Sequence, residues 1–421
     1  MKKTVGTQTF KLRSGMKGYL AYYLRSACNQ LNFDLLDYYS LGARIDDFSG
    51  IPRPQKWFLK SKKITTVIKI LSPVIYFFWV YLFYYVFVLF CFFADVFFSN
   101  KKYQASFGKP RGLALAVSPR AIDVIKQSGA PIEDVAWLFF SGVKSKHEFK
   151  EVLTSDSVLG LKDKIKVLVF SFKAHRLLKK NKNGLALQSY TSYKWYSLVL
   201  CLEKLSPEKI IAAQHLDRWA LLADSYAQQS DLNVEYHLVQ HGLELHSAYQ
   251  AKDLIYNFNK LKHVTHLYVY GEDQYEVFKE NIIDFDCLDK LSVKFFKTRI
   301  SLYDLSFSGR LKVLFIGHTI CEDLQVAIFS ALEAKFDFDF YYKPHPATKM
   351  SGKLDGLGWR IIKKIDEFPR VDYLVSYEST LLVEYQREGV GAFIHKIDPP
   401  RESFDLIVEK ACVFFRECQV H

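Results

Sequence analysis

The chain has 421 residues, enough for two ordinary domains that each bury a core. Its 49% hydrophobic and 24% charged content match a globular protein and exclude a disordered or fibrous chain. Lys and Arg total 57 against 45 Asp and Glu, and the net charge of +12 suits anionic lipid, nucleic acid or a phosphorylated substrate.

Nucleic acid is the weakest of these, and no nucleic-acid partner is expected: the sequence holds no RNA-recognition signature, no zinc-finger spacing and no Arg-rich tail. The cysteines at 28, 91, 201, 287, 321, 412 and 418 form no CxxC and are odd in number. That pattern fits a reducing compartment, with neither a disulfide framework nor a structural zinc site. The opening "MKKTVGTQTFKLRSGMKGYL" has a basic start but no apolar core, so a cleaved signal peptide is not expected. Residues 1–63 read as an N-terminal segment without an assigned role.

The 35 Phe, 26 Tyr and 6 Trp crowd toward the N-terminus. Within "ILSPVIYFFWVYLFYYVFVLFCFFA", from Ile70 to Ala94, no formal charge occurs between Lys69 and Asp95. About 20 apolar residues suffice to span a bilayer, so 64–99 reads as a membrane-spanning or re-entrant segment. A buried core helix rarely runs this long without a polar face. Arg53, Lys56, Lys60, Lys62 and Lys63 precede the run, and Lys101, Lys102, Lys109 and Arg111 follow it. With both flanks basic, the charge rule assigns no direction, and an interfacial segment with both ends cytoplasmic stays open.

After residue 100, short β-rich runs alternate with helical ones, the pattern of parallel sheets with crossover helices. "KIKVLVFSF" (164–172) predicts a strand, and 209–229 predicts a strand, a turn and an amphipathic helix. "VEYHLVQHG" (234–242) predicts a strand ending in a polar loop, and 265–281 repeats the pattern with a turn at Gly271. "LKVLFIGHT" (311–319) predicts a strand before a helix from about Cys321 to Ala334, and "FDFDFYYK" (336–343) another strand. Residues 372–390 predict a strand and a helix opening near Ser379, and "GAFIH" (391–395) closes the sheet. The expected fold is α/β, with two Rossmann-like doubly wound domains divided near residue 260. Ligands of such sheets bind beyond the carboxyl ends of the strands, where each polar loop named above falls.

Among those loops, Lys343-Pro344-His345-Pro346 presents a histidine between two prolines that restrict its backbone. Lys343 adds a point charge, and His345 can ease charge build-up on a leaving phosphate. A stiff structural turn is the plainer reading. Gly317-His318-Thr319 can form a third side, its glycine allowing close backbone approach. Ser379 and Thr380 open a helix whose free N–H groups can receive an anion, or they are an ordinary N-cap. In the first half, His241 and Asp217 follow predicted strands and are the candidate general bases. The Asp-Phe-Asp triplets at 284–286 and 337–339 are weak metal signals, and no metal site is expected. No HExxH, P-loop or GxGxxG occurs, which removes metalloprotease, P-loop NTPase and standard dehydrogenase readings.

Taken together, "VEYHLVQHG", "FYYKPHPAT" and "YLVSYESTLLVEYQREGV" resemble bacterial surface-polysaccharide glycosyltransferases of the GT-B fold. The His-Pro pair is similar to that of sialyl- and polysialyltransferases and of teichoic-acid glycerophosphotransferases. The resemblance covers roughly 205–395. It implies that His345 with Pro346 contacts a nucleotide phosphate, that Ser379 with Thr380 assists, and that Glu384 reaches a ribose. It further implies domains at 100–260 for acceptor and 261–400 for donor, with 401–421 as a C-terminal helix or tail. The acidic-acidic-Gly motif of sialyltransferases is missing, since Gly271-Glu272-Asp273 reverses the order, and the Glu-x7-Glu pattern of retaining relatives is absent.

The expected activity is metal-independent sugar transfer, without a cofactor, on the cytoplasmic face of a bacterial inner membrane. The donor would be a UDP-, CMP-, GDP- or CDP-linked sugar, the acceptor a glycan or lipid-linked glycan, and the surface anionic membrane lipid. Alternatives are a CDP-polyol phosphotransferase of teichoic-acid type and a catalytically silent membrane-anchored assembly factor.

Overall fold

The structure, a computed structural model, describes residues 16–40, 62–97, 109–244, 254–345 and 352–419, other than 141, 144, 146, 182–184, 231, 298–299, 306–308, 355, 365–366 and 398. Pro346 lies outside the described residues. The chain forms two compact units, one ending at Lys297 and the other running from Thr298.

The first unit opens with α1 (Met16–Ser40), followed by a long helix in three pieces, α2 (Lys62–Phe78), a π-helical turn (Trp79–Phe83) and α3 (Tyr84–Phe97). The sheet and its crossovers then follow in chain order as β1 (Gly112–Ala116), α4 (Pro119–Gln127), β2 (Val135–Phe139), β3 (Val152–Thr154), α5 (Leu161–Lys179) and α6 (Ser192–Leu205). After these come β4 (Lys209–Ala213), α7 (Arg218–Gln229), β5 (Glu235–Val239), β6 (His266–Val269), α8 (Glu272–Val277) and β7 (Ser292–Phe295). The seven strands lie in the order β3-β2-β1-β4-β5-β6-β7, and every pairing is parallel. A parallel sheet is covered on both faces, so its central strands carry no solvent-facing alternation, and β1 is buried at every position.

Two sequence expectations change here. The division expected near residue 260 falls inside the first unit, because β6 and β7 extend its sheet. Residues 164–172 belong to α5 and are not a strand. Their β-branched content suggested period two, but Lys164, Val167, Ser171, Ala174, His175 and Leu178 are the buried positions, at spacings of three and four.

The stretch before the apolar run, left without a role by the sequence, supplies α1, whose Tyr19, Tyr22, Tyr23, Ala27, Leu31 and Leu35 lie in the core. Its polar residues are buried as well. Asn29 Nδ2 donates to the carbonyls of Leu216 (3.0 Å) and Asn259 (3.1 Å), and its Oδ1 accepts from Asn259 N at 2.8 Å. Asn32 exchanges a similar pair with Tyr256. Asp34 accepts from Gln188 Nε2 at 2.6 Å, and Gln188 in turn accepts from the Arg218 guanidinium at 2.8 and 3.0 Å. α1 therefore ties down both the segment leading into β6 and the loop between β4 and α7.

The second unit holds β8 (Leu302–Tyr303), β9 (Lys312–Ile316), α9 (Glu322–Glu333), β10 (Asp339–Lys343), β11 (Arg360–Ile361) and β12 (Phe368–Pro369). It closes with β13 (Tyr373–Tyr377), α10 (Thr380–Arg387), β14 (Gly391–His395) and α11 (Phe404–Cys418). Its five-stranded sheet runs β11-β10-β9-β13-β14, again parallel throughout, beside a two-stranded β12-β8 pair. α11 buries Ala411, Cys412 and Phe415 in the same core as α9, so the C-terminal segment is part of this unit. Both large sheets follow one plan, with the first strand central and the chain order reversing beside it. The fold is thus α/β with two doubly wound parallel sheets.

The asparagine pins generate a prediction. Asn29→Ala would strand the Leu216 carbonyl and the Asn259 amide in the interior, at about 1–3 kcal/mol for each buried group left unpaired. Urea denaturation should show that loss in the cooperative transition, while a substitution at exposed Lys17 changes it little. Equal transitions would mean that the pins do not hold α1.

Candidate active site

In a parallel sheet all carboxyl ends lie along one edge, and each unit gathers its polar loops there. In the second unit, the chain order reverses between β9 and β13. The loop after β9 begins at Gly317-His318, that after β10 at Pro344-His345, and that after β13 at Glu378-Ser379. His318, 6% exposed, meets His345 edge-on with ring centroids 5.0 Å apart and Tyr377 at 5.6 Å. Its Nδ1 accepts from Ile320 N at 3.3 Å, which leaves the Nε2 side to carry the proton. His345, on the same edge, is half-buried.

Several expected ligand contacts are already engaged within the fold. Lys343 is 5% exposed, and its Nζ donates to the carbonyls of Lys364 (2.9 Å) and Glu367 (2.8 Å) and sits 4.8 Å over the Phe368 ring. Its charge, expected on a phosphate, holds the segment before β12. The side chain of Ser379 is the N-cap of α10, accepting from Leu382 N at 3.1 Å, so the plainer capping reading describes it, with Thr380 as the first helical residue. A Cβ on Gly317 would come 2.1 Å from the Tyr342 hydroxyl, so ring packing from β10 alone demands the glycine. Thr319 is half-buried at the start of the turn into α9, and Glu384 is buried within α10 beside Leu382 and Tyr385. Behind His318, Gln325 Nε2 donates to Ile316 O (2.9 Å) and to His395 Nε2 (3.2 Å), and His395 Nδ1 donates to Lys396 O. Burial lowers the pKa of His395, which this neutral tautomer matches.

The first unit repeats the design. The loops after β1, β4 and β5 carry Ser118, His215 and His241. Asp217 is the N-cap of α7, its Oδ1 accepting from Trp219 N at 2.8 Å and Ala220 N at 3.0 Å. Burial raises its pKa against the pull of those bonds, and the carboxylate expected as a base is committed to the helix. His241 has neighbours the sequence did not connect. The His215 and His241 rings lie 4.4 Å apart, and His215 Nε2 accepts from His241 N at 3.3 Å. His215 Nδ1 is paired with the Glu244 carboxylate. Gln240 and Gln274 brace the loop, with Gln240 Oε1 accepting from Tyr270 N and Gln274 Oε1 from Glu244 N. His241 Nδ1 is closed to solvent and has no hydrogen-bond partner.

Sequence reading therefore named His241, His345 and the loop carrying His318, but did not connect His215 with His241 or His318 with His345, and assigned no role to Glu244 or Tyr377. Those residues were visible in the same loops, but nothing local says that two strand ends are neighbours. The Asp-Phe-Asp triplets serve local structure. Asp284 caps a 3₁₀ turn, Asp337 pairs with Arg310 at 3.1 Å, and no cluster of metal-ligating side chains occurs among the described residues.

Burial first, then His215 and Arg120, holds the pKa of His241 well below 6.5. The folded protein keeps this ring neutral while the unfolded chain protonates near 6.5, so its contribution is whole above that pH and is lost as pH falls below it. Urea stability should decline on acidification from neutral pH, and His241→Asn should flatten part of that slope. A slope identical in the variant would count against a buried neutral ring.

The sequence matches no protein-family model and no curated protein. Among solved structures, the chain is similar to a UDP-GlcNAc 2-epimerase from Neisseria meningitidis bound to UDP-GlcNAc, at 10% identity and TM-score 0.44 over 73% of this chain and 92% of that one. It is similar to MurG of Acinetobacter baumannii at 11% identity and TM-score 0.35, over 72% and 83% of the two chains. A lipopolysaccharide outer core galactosyltransferase, WaaB, aligns at 12% identity and TM-score 0.35 over 69% and 82%.

Proposed function

We propose that the chain is a membrane-associated, metal-independent glycosyltransferase of the GT-B type. It would move a sugar from a nucleotide-sugar donor to a growing bacterial surface glycan at the cytoplasmic face of the inner membrane. The observation that carries the reading is the meeting of His318, His345 and Tyr377 where the order of the second sheet reverses. A doubly wound sheet binds its ligand at that point, and three hydrogen-bonding side chains there suit the phosphates of an activated sugar. The second unit takes the donor and the first unit the acceptor.

In the transfer, the acceptor hydroxyl oxygen forms a bond to the anomeric carbon, and the bond from that carbon to the phosphate oxygen breaks. The nucleotide leaves with the bonding electrons, and imidazole N–H groups meet its new charge. The hydroxyl proton goes to a base. His241 suits that role better than Asp217, because its Nδ1 has no hydrogen-bond partner while the aspartate is held in a helix cap. His215 is less suited, since Nε2 already accepts from the backbone and Nδ1 faces Glu244.

Purified protein with membrane extract and a panel of UDP-, GDP-, CDP- and CMP-linked sugars tests the reading. Turnover with one sugar donor is expected, little affected by EDTA. Transfer of a polyol phosphate from a CDP donor, or binding without turnover, would replace it. His345→Ala should lower turnover about 10²-fold with an unchanged melting temperature, as for loss of one preorganised donor. Ser379→Ala and Lys343→Met should instead lower stability, the first by about 1 kcal/mol. Normal turnover in a well-folded His345→Ala would remove the phosphate role.

A further inference from the structure

We infer that residues 70–97 lie in the plane of one leaflet of an anionic bilayer and hold the first unit flat against it, without crossing. This rests on the membrane association proposed above and specifies its geometry. By length and composition alone, Ile70–Phe97 is apolar enough to cross a membrane, with mean hydropathy 2.2. Its contacts point elsewhere.

From Trp79 to Asp95, about 24 Å of helix, one side is fastened along α5 and its neighbours by polar groups. Trp79 Nε1 donates to Ala186 O at 3.0 Å, and His175 Nε2 donates to Val80 O at 3.0 Å. Tyr84 stacks on His175 with centroids 3.8 Å apart, and its hydroxyl donates to Ser171 O at 2.6 Å. Lys164 Nζ donates to Asp95 O at 2.6 Å, and Tyr193 donates to the Asp95 carboxylate at 3.0 Å. The π-helical turn shifts the helical register between Trp79 and Tyr84, so that both face inward.

If this stretch stood across a bilayer, the charged Lys164 and Asp95 would enter hydrocarbon with it, at a cost of several kcal/mol for each ion. The part before Trp79, Ile70–Phe78, is about 13 Å long, less than half a bilayer core. A spanning helix does not fit, but a tangent one does.

The opposite side of the π-helical turn and α3 is an unbroken apolar stripe of Leu82, Val86, Leu89, Phe90, Phe93 and Phe97, all exposed. It runs parallel to the surface that carries it, so it meets a plane side-on. α5 continues that surface with exposed Leu161, Ile165 and Val169, then turns basic through exposed Lys162, Lys173, Arg176 and Lys180. Lys179 lies 3.7 Å over the Tyr81 ring and Lys173 lies 4.7 Å over Phe170, so cations and aromatic rings meet along this border. An apolar stripe edged by aromatics and lysines is the composition of a helix at a headgroup boundary. A second copy of the chain on a twofold axis would bring this basic border close to its own copy, which disfavours that occupant.

Full-length protein tagged at both termini should lose both tags to added protease in membrane vesicles with the cytoplasmic face outward. Protection of one tag alone would establish a span and overturn the proposal. The triple variant Leu82→Ser, Phe90→Ser, Phe93→Ser touches only exposed positions. It should bind phosphatidylethanolamine–phosphatidylglycerol vesicles about 10²-fold or more weakly, with unchanged melting. Wild-type binding should fall at least about tenfold on phosphatidylcholine alone. Equal binding to both lipids would overturn the anionic partner, and a wild-type dimer that the variant dissolves would assign the stripe to a second copy. None of these measurements reads sugar transfer, so failure of the enzymatic reading leaves them standing.

Discussion

Parallel strand pairing is the constraint from which the rest of this molecule follows. Two parallel neighbours cannot be joined by a tight turn, so each strand must leave the sheet, cross as a helix and return. The crossovers cover both faces, which is why β1 and the central strands are apolar without alternation. They also send every outgoing loop to one edge. His215 and His241 become neighbours in the first unit, and His318 and His345 in the second, because β4 pairs with β5 and β9 with β10.

That edge must then be kept in shape, and the fold does so with buried polar groups. Gln240 and Gln274 fix the loop carrying His241, while Gln325 ties the end of β9 to His395 on β14. Beneath the first site, Asn29 of α1 reaches the Leu216 carbonyl, and Arg218 is bound through Gln188 to Asp34. Each bond contributes little net stability, but each group would be expensive to leave unpaired in the interior, so alternative packings of α1 are penalised.

The same principle identifies candidate polar groups that are already committed within the fold. The Lys343 ammonium, the Ser379 hydroxyl and the Asp217 carboxylate have the chemistry for a ligand, yet carbonyls and helix N–H groups of this chain already occupy them. His241 Nδ1 has no such partner. The apolar helix shows the counterpart on a surface. Polar bonds fasten one side of α3 to the domain, and the other side remains apolar over its whole length.

By itself the sequence determined the α/β class, the strands β4, β5, β6, β9, β10, β13 and β14, the loops that would carry polar chemistry, and an apolar segment too long for an ordinary core helix. These follow from local periodicity and composition, which a short window records. It misread Lys164–Phe172, where Ile165, Val167 and Val169 alternate as in a strand although only Val167 of the three is buried in the helix, and it gave no role to α1, whose low-contrast mixture of Tyr and Asn has no strong face. Only the tertiary structure decided that the first sheet continues to Phe295, that His318 stands beside His345, and that Asp217 and Ser379 are caps. The physical reason is that strand order and side-chain partners arise from contacts between residues far apart in the chain, such as Asn29 with Asn259, and no local pattern encodes them.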